Sequence, residues 1–130
     1  MKILIVEDEE MSLKALEHKL SKKGYTVYTA TNGEEALKTA KTRGLDLIIS
    51  DIMMPYKSGI ELLDIVRNNL DYSIPFILTT SINEAEITAK SFELGASDFI
   101  IKPINFNELF LRIERLLRDK VQLAEKSETY

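Results

Sequence analysis

The hydrophobic residues of this chain are grouped in short runs, separated by longer amphipathic segments. Five runs rich in β-branched or aromatic residues predict strands at 3–6, 26–30, 47–50, 76–79 and 99–101. Four of these runs are apolar at consecutive positions, which is typical of strands covered on both faces of a sheet. The run at 26–30 alternates with polar residues, so we place it at an edge of the sheet.

Each run is followed by a segment whose apolar residues recur at helical spacing. The five stripes are Leu13, Leu16 and Leu20; Ala36, Leu37 and Ala40; Leu62, Leu63, Val66 and Leu70; Ile87, Phe92 and Leu94; and Leu109, Ile113 and Leu116. The order βα, repeated five times, predicts an α/β fold with a parallel sheet, right-handed crossovers and helices on both faces.

Residues at the ends of these segments agree with the helices. Four pairs have a cap residue followed three positions later by an acid: Asn32 with Glu35, Ser58 with Glu61, Asn83 with Glu86, and Asn105 with Glu108. Three glycines, Gly24, Gly44 and Gly95, follow helical stretches, where a left-handed residue is favoured.

Composition narrows the possible chemistry of this domain-sized chain of 130 residues. The absence of cysteine excludes disulfides, thiolate zinc sites and a cysteine nucleophile, and it fits a reducing compartment such as the cytoplasm. His18 is the single histidine, and a net charge of −4 argues against direct binding of nucleic acid. The longest apolar run, at 3–6, is far shorter than the ~20 residues of a membrane span.

Charged and hydroxyl side chains stand where the predicted strands end. The first strand is followed by Glu7 and Asp8, the third by Asp51, the fourth by Thr80 and the fifth by Lys102. The carboxyl ends of parallel strands share one rim, so these groups should converge. Crowded carboxylates are costly to ionise, and Mg²⁺ would relieve that cost. A metal ion, an ammonium group and a hydroxyl group together can bind the oxygens of a phosphoryl group. Asp51 could then act as the nucleophile that accepts this phosphoryl group.

The chain resembles the receiver domains of bacterial response regulators in two-component signalling, including the chemotaxis receivers. The stretches that match are 3–9, 46–55, 58–61, 75–80 and 95–103. The resemblance covers about residues 1–119, and it implies a doubly wound, flavodoxin-like (βα)5 fold with strand order 2-1-3-4-5. We therefore expect a receiver domain at 1–119 and a helical extension with a tail at 120–130.

The resemblance also implies a role for each residue at the rim. Asp51 would accept a phosphoryl group from a phosphohistidine of a sensor histidine kinase. Mg²⁺ would be held directly by Asp8, through water by Glu7, and by Asp51 and the backbone carbonyl of Met53. No separate small-molecule substrate is expected, because such a domain assists only its own phosphorylation and dephosphorylation.

Signal transmission is implied at three further positions. Thr80 would supply the switch hydroxyl, and Lys102 would contact the phosphoryl oxygens, with a cis bond to Pro103. Phe99 occupies the position of the switch aromatic residue but has no hydroxyl, so apolar burial alone would hold it inward. Phosphorylation would then change the face formed by helix 4, strand 5 and helix 5.

That face is also a candidate dimer interface. The resemblance pairs an acid at Asp98 with a base at Arg112. A second pair is incomplete, because Glu108 supplies the acid but Thr88 stands where a base is expected, with Lys90 nearby as a substitute base. The sequence leaves open whether the chain is a stand-alone receiver or part of a longer protein with an output domain. The last predicted helix is longer than a receiver needs, which slightly favours a longer protein with an output domain.

Three positions near the phosphoryl group depart from the family pattern. Glu7 replaces the more frequent aspartate, and the apolar residues Met53 and Ile82 flank the phosphoryl group. Because neither can orient an attacking water molecule, we expect slow self-dephosphorylation.

Two other classes of function fit the predicted fold less well. An aspartyl-nucleophile phosphohydrolase needs a carboxylate two residues after its nucleophile, where this chain has Met53. A flavodoxin-type binding module needs a phosphate loop after the first strand, where this chain has four acids at 7–10.

Overall fold

The computed structural model describes residues 1–54, 57–71 and 73–129, with the backbone alone at 126–129. The strands are β1 (Lys2–Val6), β2 (Thr26–Ala30), β3 (Leu47–Asp51), β4 (Phe76–Thr80) and β5 (Asp98–Ile101). The helices are α1 (Glu10–Lys22), α2 (Gly33–Thr42), α3 (Gly59–Ile65), α4 (Ala85–Glu93) and α5 (Phe106–Thr129). A π-helical turn at Val66–Leu70 continues α3.

The five strands form one parallel sheet in the order β2-β1-β3-β4-β5, which confirms the predicted fold. Separate apolar cores cover its two faces. One contains Leu4, Ile48 and Leu78 and packs against α2 and α3, and the other contains Ile5 and Ile49 and packs against α1 and α5. The consecutive apolar runs are explained by this two-sided burial, because side chains of alternate residues enter opposite cores.

Three of the four predicted helix caps are present. The side chains of Asn32, Ser58 and Asn105 accept hydrogen bonds from the backbone amides three residues later, at 2.9–3.1 Å. The cap at Asn83 is wrong, because α4 begins at Ala85 after Glu84 and has no side-chain cap.

Two of the three glycines predicted to be left-handed have positive φ, namely Gly24 at 95° and Gly95 at 105°. The prediction for Gly44 is wrong. Helix α2 passes into extended backbone at Arg43, with ψ of 140°, so no left-handed residue is needed after it.

The predicted apolar stripe of α4 is only partly correct. Ile87 and Leu94 pack against the core, but Phe92 is 47% exposed. The buried residue of this helix is Ser91, whose hydroxyl donates to the carbonyl of Ile87 at 2.8 Å. That hydrogen bond satisfies the hydroxyl and lets a small polar side chain replace the expected apolar contact.

Helix α5 runs without interruption through the predicted boundary at residue 119. Lys120 Nζ lies 3.2 Å from Asp46 Oδ1, and the Lys2 amide donates to Asp46 Oδ2 at 2.7 Å. These contacts tie the first turn of the extension to the amino ends of β1 and β3. In the part of the chain that is described, no helix is both long and apolar enough to cross a bilayer.

Candidate functional site

The carboxyl ends of the strands bring together the charged residues that the sequence predicts for this rim. Glu7 and Asp8 follow β1, Asp51 is the last residue of β3, and Lys102 follows β5. Lys102 Nζ lies 2.8 Å from Asp51 Oδ2, and 3.0 and 3.2 Å from Glu7 Oε1 and Oε2. One ammonium group therefore contacts two carboxylates.

Backbone hydrogen bonds hold these residues in place beyond the ends of the strands. The amide of Glu7 donates to the carbonyl of Ala30 at 3.0 Å, and that of Lys102 donates to the carbonyl of Thr80 at 2.7 Å. The bond between Lys102 and Pro103 is cis, as the family resemblance implies. The sheet ladder thus positions both partners of the contact between Glu7 and Lys102.

Gly59 has a role at this site that the sequence reasoning missed. A Cβ added there would lie 2.2 Å from the backbone carbonyl oxygen of Asp51, so only glycine fits. The amide of Gly59 donates to the carbonyl of Ile52 at 2.9 Å. The start of α3 therefore packs directly on the backbone that carries Asp51. The sequence feature that could have indicated this role is a glycine directly after the helix cap Ser58.

The carboxylates of the site differ in their exposure. Glu7 is 2% exposed and Asp51 is also buried, whereas Asp8 is exposed. Burial and, after it, the neighbouring Asp51 raise the pKa of Glu7 to about 7, although Lys102 acts in the opposite direction. Burial alone would lower the pKa of Lys102, but its hydrogen bonds to Asp51 and Glu7 outweigh burial and raise that pKa.

The three carboxylates fit a hard divalent cation. Glu7, Asp8 and Asp51 each offer an oxygen, and these oxygens all lie within 4.8 Å of one another. The amide of Met53 donates to Asp51 Oδ1 at 3.1 Å, and this hydrogen bond fixes the loop after β3. Met53 itself is 58% exposed. The role of the Met53 carbonyl as a ligand stays a prediction, and Pro55 lies outside the described residues.

The predicted switch residues are both buried. Thr80 is fully buried, and its hydroxyl oxygen accepts a hydrogen bond from the amide of Ile82 at 3.1 Å. Phe99 is 9% exposed and belongs to the core on the α2–α3 side of the sheet. In this structure Phe99 is therefore buried while the hydroxyl of Thr80 still bonds to the amide of Ile82.

The predicted dimer-face residues form an ionic cluster within one chain. Arg112 Nη1 contacts Asp98 Oδ1 at 2.5 Å, and Arg112 Nη2 contacts Glu108 Oε1 at 2.8 Å. Arg115 also contacts the buried carboxylate of Asp98, at 3.4 Å. Hydrogen bonds to Asp98 and Glu108 raise the pKa of Arg112. The ion pair between Asp98 and Arg112, which the resemblance implies would form between two copies of the chain, thus forms within a single copy.

Comparison with known proteins gives a consistent result. The family model described as response regulator receiver domain matches residues 3–114. The chain is 43% identical over 116 residues to the probable transcriptional regulator ycf27 of Cyanidium caldarium, covering 89% of this chain and 46% of that protein. It is 39% identical over 127 residues to the alkaline phosphatase synthesis transcriptional regulatory protein PhoP of Bacillus subtilis, covering 98% of this chain and 52% of PhoP.

A solved structure shows the same similarity in three dimensions. The chemotaxis response regulator CheY4 of Vibrio cholerae superposes with a TM-score of 0.82 at 33% identity, covering 88% of this chain and 97% of CheY4. The chain therefore spans nearly all of the CheY4 structure, but only about half the length of the curated relatives it matches.

Proposed function

The chain belongs to the response regulator receiver domain family of two-component signalling, and we propose that it is a switch controlled by phosphorylation of Asp51. The phosphoryl donor is the phosphohistidine of a partner sensor histidine kinase. The observation that carries this proposal is the contact of Lys102 Nζ with Asp51 Oδ2 at 2.8 Å, on a rim shared with Glu7 and Asp8.

The chemistry is a phosphoryl transfer in which Asp51 is the nucleophile. A bond forms between a carboxylate oxygen of Asp51 and phosphorus, and the bond from phosphorus to the imidazole nitrogen breaks, leaving its electron pair on that nitrogen. The amide of Met53 holds Oδ1 of Asp51, while Lys102 contacts Oδ2. The ammonium of Lys102 offsets the negative charge that phosphorylation adds to the rim.

Mg²⁺ is the proposed cofactor, with Glu7, Asp8, Asp51 and the backbone carbonyl of Met53 as the protein groups that hold it. When bound, the ion neutralises charge between the carboxylates and the incoming phosphoryl group. Glu7 must lose its proton before it can act as an acceptor for the ion or for ion-bound water. Because the pKa of Glu7 is about 7, this step is sensitive to pH in the neutral range.

The proposed output is a change in the face formed by α4, β5 and α5. The hydroxyl of Thr80 exchanges its hydrogen bond with Ile82 for one with the phosphoryl group, which moves the loop after β4. The loop leads into α4, whose one buried residue is Ser91, so this helix is held by few core contacts. The change is therefore transmitted to Asp98, Glu108 and Arg112, the proposed dimer face.

The similar proteins suggest what this domain controls. Two of them are named as transcriptional regulators, and this chain spans about half their length. We therefore propose that the domain acts in the cytoplasm on a fused or separate output domain. The receiver itself is not expected to contact nucleic acid or a membrane, because it carries a net charge of −4.

The two alternatives are less well supported by the site. Met53 stands two residues after Asp51, where a phosphohydrolase needs a carboxylate for acid–base catalysis. Glu7 and Asp8 would repel the phosphate of a flavin or a nucleotide unless a cation were bound.

Phosphotransfer from a panel of phosphorylated histidine kinase domains tests the proposal. We expect at least one kinase to transfer its phosphoryl group to the wild-type chain and none to transfer it to Asp51→Asn. Transfer to Asp51→Asn, or no transfer from any kinase whose label moves to a known receiver run in parallel, would overturn the proposed function.

A further inference from the structure

The edge of the sheet formed by β2 is open. β2 pairs with β1 alone, and β1 lies on its inner side. The amide of Thr26 donates to the carbonyl of Met1, and the carbonyl of Ala30 accepts from Glu7, so these residues direct their backbone groups towards β1. In a parallel ladder alternate residues face opposite sides, which leaves the amides and carbonyls of Val27 and Thr29 directed away from the sheet.

This strand lacks three features that often prevent pairing at an edge. Natural edge strands are blocked by charged side chains, proline or a bulge. The strand Thr26–Ala30 contains no charged residue and no proline, and all five of its residues stay in register with β1. Its backbone therefore presents a regular template for a further strand.

Cations line the groove beside this edge. The groove has a volume of about 430 Å³ and lies between β2 and the carboxyl-terminal half of α2. Lys38, Lys41 and Arg43 line it together with Tyr28 and Thr29. The Arg43 guanidinium lies 5.3 Å from the centre of the Tyr28 ring. Among the described residues, no carboxylate forms an ion pair with any of these three cations.

We propose that this edge, defined by Thr26–Ala30 with Lys38, Lys41 and Arg43, binds an extended acidic segment of a partner protein as an additional strand. Backbone groups of Val27 and Thr29 would pair with the segment. Acidic side chains on one face of a strand recur about every 7 Å. Lys38 and Lys41 are about 4.5 Å apart along the axis of their helix. The long lysine side chains can make up the difference between these two spacings.

An extended partner fits the groove better than a compact anion such as phosphate. The hydroxyls of Thr39 and Thr42 already donate to the carbonyls of Glu35 and Lys38, at 3.2 and 2.9 Å, so they are not spare donors for a phosphate group. The three cations instead follow one another along the carboxyl-terminal half of α2 and its C-cap, in the groove beside β2. Because this surface is separate from Asp51, the inference does not rest on phosphorylation.

The test uses the ¹⁵N-labelled full chain and a blocked peptide of seven alternating glutamate and valine residues. We expect saturable shifts of the amides at 26–30 and 38–43, and slower hydrogen exchange at Val27 and Thr29. Lys41→Glu should weaken binding at least ~10-fold, while the matched control Lys90→Glu, also an exposed cation in a last helical turn, changes it less than ~2-fold.

Two further variants test whether the backbone is used. Thr29→Pro should abolish binding without unfolding the sheet, because an outward-facing amide at an edge tolerates proline. A peptide N-methylated at alternate residues should also fail to bind. Three results would each overturn the proposal. The methylated peptide could bind as well as the unmethylated one, inorganic phosphate or an oligonucleotide could produce the shifts instead of the acidic peptide, or millimolar peptide could produce no saturable shift.

Discussion

Lys102 Nζ lies 2.8 Å from Asp51 Oδ2 and 3.0 Å from Glu7 Oε1, although these carboxylates are 51 and 95 positions away along the chain. The sheet order places β1 and β3 side by side and puts β5 at the far edge. The lysine side chain must therefore reach back across β4 to the carboxylates. This contact stabilises two buried acids that would otherwise repel each other.

Replacing Lys102 should make stability depend more steeply on pH. The pKa of Glu7 is raised from 4.5 to about 7, so its contribution to stability is fully present below 4.5 and is lost as pH rises through about 7. Lys102→Met removes the ammonium that favours the ionised form. We expect it to lower the free energy of unfolding by about 2 kcal/mol at pH 8 and by less at pH 5.5.

Urea unfolding of both proteins at the two pH values measures this difference, with Lys90→Met as the control for loss of an exposed lysine. An equal loss of stability at pH 5.5 and pH 8 would contradict the electrostatic role assigned to Lys102.

Mg²⁺ should raise the melting temperature through the carboxylate cluster. A ligand that binds only the folded state stabilises it by mass action. Asp8→Ala should remove most of the shift, whereas Glu17→Ala, which alters an exposed acid outside the cluster, should leave it intact. The shift should also be larger at pH 8 than at pH 6, because the ionised form of Glu7 gains population as pH rises through about 7.

Thermal unfolding over a range of Mg²⁺ concentrations provides the measurement. A cation site elsewhere in the molecule would be indicated if wild type and Asp8→Ala were stabilised equally.

Polar residues near Asp51 should shorten the lifetime of the phosphorylated state. Met53 is exposed and Ile82 is half-buried, and neither side chain can orient a water molecule for attack on an acyl phosphate. Met53→Asn and Ile82→Glu should each accelerate dephosphorylation by about 10-fold. Leu111→Asn, at an exposed position on α5, should not.

The decay of the phosphorylated protein, followed by mass spectrometry after removal of the donor, gives the rates. Unchanged rates in both Met53→Asn and Ile82→Glu would show that water access is controlled elsewhere.

Arg112 should couple phosphorylation to self-association. It contacts Asp98 and Glu108 of its own chain, so a dimer that uses the same acids must exchange these partners. Arg112→Ala should lower stability by about 1 kcal/mol and remove any dimer induced by beryllofluoride. Arg118→Ala, which truncates an exposed arginine on the same helix, serves as the control.

Sedimentation with and without beryllofluoride distinguishes the variants. A dimer that forms equally well with Arg112→Ala would mean that this face is not the interface.

The strands and the rim residues could be predicted from sequence for a physical reason. Strands buried on both faces leave uninterrupted apolar runs, and the polar residues that follow them fall on one rim whatever the details of packing. The caps at Asn32, Ser58 and Asn105 depend on local hydrogen bonds, so they too were predictable.

The features that sequence reasoning missed depend on contacts between distant segments. Helix α4 buries only Ser91, so its weak periodicity did not reveal where it begins or that Phe92 is exposed. Glu7 is buried and its neighbour Asp8 is exposed, a contrast that depends on what packs around each residue in the folded chain. The role of Gly59 depends on the backbone carbonyl of Asp51, which leaves no room for a Cβ at position 59, and no local pattern encodes that contact.

The most direct test of the central claim is the intact mass of the chain after incubation with Mg²⁺ and acetyl phosphate. We predict the gain of one phosphoryl group by the wild-type protein and none by Asp51→Asn, with Asp46→Asn, which alters a carboxylate at the opposite end of the sheet, modified like the wild type. A phosphoryl group on Asp51→Asn, or a wild-type chain that gains none, would contradict the assignment of Asp51 as the acceptor.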